Sequence, residues 1–106
     1  MSIKKVGIAE IEKQYGPLTF GRLLKSHREG EELSQVTMAK KLGLSKQSLN
    51  DLESGRKIPS IKRAVQIAKK IGLMEDLIVQ LVLQDQVNKE KINVRVTVEP
   101  TTKKAS

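Results

Sequence analysis

Residues 34–53, SQVTMAKKLGLSKQSLNDLE, place two helix starts and one helix stop so close together that only two short helices joined by a tight turn fit between them. Ser34 is a favoured N-cap residue, and Met38, Ala39 and Leu42 recur behind it at helical intervals. Gly43 suits the left-handed conformation that ends a helix, and Leu44 follows to cover the turn. Ser45 restarts the chain as a second cap. Leu49 and Leu52 then form one apolar face, while Lys46, Gln47, Asn50 and Asp51 lie off it. The result is a helix with an apolar underside and a polar top.

Composition narrows what such a unit does. The chain of 106 residues has room for one domain. Its formal net charge of +8 and pI near 9.9 favour a polyanionic partner, nucleic acid first and an acidic membrane or protein second. With no cysteine there are no disulfides, thiolate metal sites or cysteine nucleophiles, and a single histidine argues against zinc. No apolar run reaches the roughly 18 residues of a membrane span, and the N-terminus lacks a signal-peptide core, so a cytoplasmic protein without a membrane partner is expected.

The longer stretch LSQVTMAKKLGLSKQSLNDLESGRKIPS resembles the helix-turn-helix of the Cro/C1-type (XRE) regulators, the lambdoid phage repressors and their relatives. Leu33, Ser34, Gln35, Ala39, Gly43, Ser45, Leu52, Glu53, Gly55, Arg56 and Pro59 stand where that family has its characteristic residues, and the likeness covers residues 19–73. The resemblance implies an all-α, five-helix, lambda-repressor-like domain whose helix 45–53 enters the major groove of double-stranded DNA. It implies that Gln35 and Arg56 contact phosphate, and that Arg28 pairs with Glu53 as a structural ion pair. One departure is clear. The family has a glycine just before the apolar residue that precedes the first cap, whereas this chain has Glu31-Glu32 with Gly30 two places early, so a slightly different path is expected there.

Four regions follow in order. Residues 1–18 form an N-terminal extension, with Ile8, Ile11 and Tyr15 on one face of a short helix over 9–15 and Gly16-Pro17 as the break. The helix-turn-helix domain, 19–73, opens with Thr19 as cap and a helix over 20–29 bearing Phe20, Leu23, Leu24 and His27 on one stripe. His27 is expected half-buried, and Leu23 is expected to be covered by the extension. A helix over 61–71 carries Ala64, Ile67, Ala68 and Ile71, and Gly72 ends it.

Region 74–98 is assigned to dimerisation. Its helix, 74–87, is apolar around most of its circumference, so Leu77, Ile78, Leu81 and Val82 are expected against a second subunit. The alternation in 92–98, INVRVTV, predicts a β-strand whose Val94, Val96 and Val98 form one face. A lone strand needs a backbone partner, and three are open: the same strand of a second subunit, which a homodimer favours, the segment 3–8, or another protein. Residues 99–106 form a flexible tail.

Chemistry assigns the polar top of helix 45–53 to base reading. Lys46 can donate to guanine, Gln47 and Asn50 can pair bidentately with adenine, and Asp51 can accept from cytosine. Ser34, Gln35, Ser48, Arg56, Lys57 and Lys62 are the candidates for phosphate contact. No catalytic constellation is evident, since His27 lacks Ser and Asp partners and Asp51 and Glu53 face different ways; neither enzyme, metal nor cofactor is expected. The leading expectation is a dimeric repressor on an inverted-repeat operator. The alternatives are an autorepressing antitoxin bound to a toxin protein, resembling the host-inhibition (Hig) and HipB-like groups, and a protein-bridging factor.

Overall fold

The computed structural model describes residues 17–101, so the expected helix over 9–15 and the end of the tail lie outside the described residues. Among the described residues five helices follow one another: α1 Phe20–Gly30, α2 Gln35–Leu42, α3 Lys46–Ser54, α4 Ile61–Ile71 and α5 Glu75–Lys89. The first four begin alike. Thr19, Ser34, Ser45 and Ser60 each accept the backbone N–H three residues ahead, at 3.0–3.1 Å, satisfying a donor that the helix leaves orphaned. Helix α5 starts without a side-chain cap and carries Glu75 and Asp76 at its positive end instead.

The helix ends are equally local in origin. At the end of α2, Gly43 sits at φ 73° and the Leu44 N–H returns to the Ala39 carbonyl at 2.8 Å. The same closure ends α1, where the Leu33 N–H reaches the Arg28 carbonyl at 3.1 Å. There the left-handed residue is Glu32, at φ 59°. The connection therefore makes a left-handed turn with glutamate at the position where the resembled family has glycine.

Helices α1 and α2 both pack on α3, α4 packs on α5, and α5 returns to α1. Their shared core contains Phe20, Leu24, Met38, Leu49, Ile67, Ile78 and Val82, all fully buried. Gly21 permits the α1–α3 contact: a Cβ there would lie 2.8 Å from the Glu53 carbonyl oxygen and closer still to that of Leu52. Only a residue without a side chain allows the two backbones so near. Leu23 is half-buried against the core, and His27 is half-buried.

Two sequence expectations are corrected by the architecture. Ile78, Leu81 and Val82 are buried within their own chain, and Leu77 is half-buried beside them, so the apolar excess of α5 does not of itself require a second subunit. No strand forms among the described residues. Residues 92–98 instead lie along α5. Gln84 donates through Nε2 to the Val94 carbonyl at 2.9 Å and accepts the Val96 N–H at 2.7 Å, while Gln80 accepts the Val98 N–H at 3.2 Å. Two glutamines one helical turn apart rise about 6 Å, close to the roughly 6.6 Å between alternate residues of an extended chain. Their amides take the place of the expected strand partner. Val94 remains exposed, and Val96 and Val98 are half-buried.

A further link closes the bundle. Asp85 of α5 accepts the Phe20 N–H, at the start of α1, at 3.1 Å. Burial pushes this carboxyl above the ordinary aspartate value, against the opposing effect of the Phe20 hydrogen bond. A raised folded-state value contributes stability below the unfolded pKa and loses it as pH rises through the folded one. Asp85→Asn keeps an acceptor for Phe20 and removes the charge. In denaturant titrations the variant should gain on wild type at pH 7, with the gain shrinking toward pH 4. Glu32→Gly should relieve the left-handed strain and stabilise the fold by about 0.5–1 kcal/mol after the entropic cost of glycine, measured by the same titration.

Candidate nucleic-acid interface

The first turn of α3 stands open to solvent and is capped locally by Ser45. Ser45 accepts the Ser48 N–H, and its hydroxyl donates to the Ser48 hydroxyl, both at 3.0 Å. Lys46, Gln47 and Ser48 are exposed; Leu49, Leu52 and Glu53 are buried beneath them. The helix is thus held from below, with its N-terminal dipole and three polar side chains facing outward.

Its seat is ionic. Arg28 donates from Nε to Glu53 Oε2 at 2.7 Å and from Nη2 to Oε1 at 3.0 Å, a bidentate pair between α1 and α3. The Glu53 side chain is 2% exposed and that of Arg28 11%, so neither charge has water to fall back on. The hydrogen bond to Glu53 raises the Arg28 pKa further. Arg28 also donates to the Leu33 carbonyl at 2.9 Å, and Gln35 donates to Glu53 Oε1 at 3.0 Å. Gln35 is half-buried at the first turn of α2, with its amide nitrogen already committed to Glu53. The same carboxylate therefore gathers α1, α2 and α3.

Above the seat lies a second network. Asp51 is 8% exposed, and its Oδ1 accepts Gln47 Nε2 at 2.9 Å and Arg56 Nε at 3.0 Å. Arg56 Nη2 lies 3.0 Å from the same oxygen and also donates to Asn50 Oδ1, and Lys57 Nζ stands 3.7 Å from Oδ2. The hydrogen bond from Gln47 and the charges of Arg56 and Lys57 hold the Asp51 carboxyl below the ordinary aspartate value, against the effect of burial. The side chains of Arg56 and Lys57 are 58% and 73% exposed, so most of their surface is available to a partner.

The structure brings Gln47, Asn50, Asp51, Arg56 and Lys57 together and leaves Lys46 outside that set. Ser34 and Lys62 are exposed at the first turns of α2 and α4. Two roles were missed from the sequence: the bond from Gln35 to Glu53, and the network around Asp51. The spacing of Gln47 and Asp51, four apart on one helix, was the available signal for the second. No helix among the described residues is long and apolar enough to cross a membrane.

Two short capped helices at a tight turn, the second seated by a buried ion pair and open at its N-terminus, define a helix-turn-helix module. The chain belongs to the helix-turn-helix family, whose model matches residues 24–77. It is 45% identical over 53 residues to the "ImmF control region 10 kDa protein" of Bacillus phage phi105. It is 42% identical over 57 residues to an uncharacterized HTH-type transcriptional regulator of Methanocaldococcus jannaschii. These matches cover 50% and 53% of this chain, and 59% and 86% of the relatives, so the chain spans little more than half of the phage protein. No solved structure matches the chain significantly.

Removing one member of the seat strands the other. Arg28→Ala should cost about 3–5 kcal/mol of folding stability, since it leaves the Glu53 charge buried with only Gln35. The double variant Arg28→Met/Glu53→Leu should recover much of that loss in the same denaturant titration.

Proposed function

We propose that the protein is a sequence-specific, double-stranded-DNA-binding transcriptional regulator that places α3 in the major groove. The observation that carries this reading is the exposed first turn of α3, with Lys46, Gln47 and Ser48 outward above the buried Leu49 and Leu52. Gln47 and Asn50 supply groups suited to base edges. Arg56 and Lys57 after the helix, Ser34 and Gln35 at the mouth of α2, and Lys62 on α4 supply phosphate contacts, with Gln35 doing so while anchored to Glu53. The +8 formal charge and the name of the archaeal relative agree with this reading.

The proposed action is repression by a homodimer on an inverted repeat, without an enzymatic step, in the cytoplasm. A short recognition helix covers few base pairs, and two copies on a two-fold axis double the site. Ile92 and Val94, exposed at 49% and 51%, are the apolar contacts we assign to the second copy. The phage control-region relative favours a free-standing regulator over a toxin-neutralising one.

The test is selection of bound sequences from random duplex DNA by the full chain, followed by binding to the enriched site at several salt concentrations. A dimer neutralising on the order of eight phosphates should enrich a palindrome with half-sites one helical turn apart, and log affinity should fall with log salt at a slope of about −7. Absence of any enriched sequence would overturn the reading in favour of a protein-bridging role. An enriched site without two-fold symmetry would overturn the dimer alone.

A further inference from the structure

We infer that Asp51 is a positioning residue that sets which hydrogen-bonding atoms of Gln47 and Asn50 face the DNA, and that it does not itself read a base. The inference rests on the assignment of α3 to base reading. Its first support is burial: a residue 8% exposed, with three partners on its carboxylate, is poorly placed to enter a groove. Its second is the chemistry of those partners.

An ionised carboxylate accepts and never donates. Gln47 can satisfy Asp51 Oδ1 only by turning Nε2 inward, as the 2.9 Å contact shows. Its Oε1 and its second N–H are therefore left on the outer side, as one acceptor beside one donor. That pair matches the N6 and N7 edge of adenine. A guanidinium is the converse, a group that donates and never accepts. Arg56, held on Asp51 through Nε and Nη2, donates from Nη2 to Asn50, so Asn50 must turn Oδ1 toward it. The two N–H groups of Asn50 are left for acceptors, which suits guanine O6 and N7 or thymine O4. Each amide, free to turn over on an ordinary helix surface, is thus fixed in one sense by a single carboxylate. Arg56 keeps Nη1 for a phosphate.

Asp51→Ala tests this by removing the acceptor outright. Gln47 and Arg56 share the one oxygen Oδ1, which an asparagine could still supply, so truncation is what frees both amides to turn over. Selections from random duplex DNA are made with the full-length wild type, Asp51→Ala, and the Gln47→Ala/Asn50→Ala variant with and without Asp51→Ala. Each is followed by affinities for the consensus and a scrambled duplex, with thermal melting to establish folding.

Asp51→Ala should lower the ratio of the two affinities about tenfold, within the range of one bidentate base contact. The loss should fall at the base pairs that also change in the Gln47→Ala/Asn50→Ala variant, and preference there should move away from adenine. Binding to the scrambled duplex should not weaken, because a negative charge has been removed. In the Gln47→Ala/Asn50→Ala background Asp51→Ala should have no further effect, which a merely structural role would not produce. An unchanged ratio would overturn the inference. So would a loss at one C·G pair that persists in that background, since Asp51 would then be reading cytosine. If wild type itself enriches no sequence, the DNA-reading proposal falls and this inference with it. Should Asp51→Ala fail to fold, Arg56→Gln replaces it; a preference unchanged at every base pair would then overturn the inference.

Discussion

A buried carboxylate at the end of α3 decides where the other helices stand. Glu53 takes Arg28 from α1 on both oxygens and Gln35 from α2 on one. A charge in that position is tolerated only while its partners are in place, because the desolvation cost is offset by their geometry and by nothing else. The arrangement is therefore far less forgiving than an apolar contact, which would accept a small rotation of α3. Gly21 completes the constraint by letting the α1 backbone close on the carbonyls at the end of α3. Helix α3 is gripped at its C-terminal end, and its N-terminal end is left to project.

Upon that seat the polar face is ordered in a second layer. The lower layer, centred on Glu53, fixes the helix; the upper one, centred on Asp51, fixes the side chains on it. The two carboxylates are two residues apart and face different partners, one among α1 and α2 and the other toward the loop after α3. Side chains held in this way lose less conformational freedom on meeting a partner than mobile ones do. The four Ser/Thr caps contribute at a still more local level, starting each helix where the sequence places a hydroxyl.

What was legible in the sequence was what depends on near neighbours. Ser34, Gly43 and Ser45 announce the turn through their own conformational preferences, and the stripes of α1 and α4 follow from spacing alone. The pairing of Arg28 with Glu53, 25 residues apart, had no local signal and came through the family likeness. Glu32 occupies a left-handed turn closed by the hydrogen bond from Leu33 to Arg28, a conformation that its own residue type does not announce. The apolar surplus of α5 was visible, but which elements cover it depends on how the chain returns, which periodicity does not encode. The strand expectation failed for a related reason. Alternation shows that a segment is extended and two-faced, and it is silent on whether its backbone meets another backbone or two glutamine side chains.

That substitution of glutamines for a strand has a dynamic meaning. Three neutral hydrogen bonds near the surface help fasten residues 94–98, each contributing modestly to stability. The fastening can open without disturbing Ile78 or Val82 in the core beneath, so this stretch belongs to the low-free-energy end of local unfolding. In hydrogen-exchange terms the amides of Val96 and Val98 should open ahead of those in the helices. Two of the residues that attach the segment to α5, Gln80 and Gln84, take no part in the seat of α3.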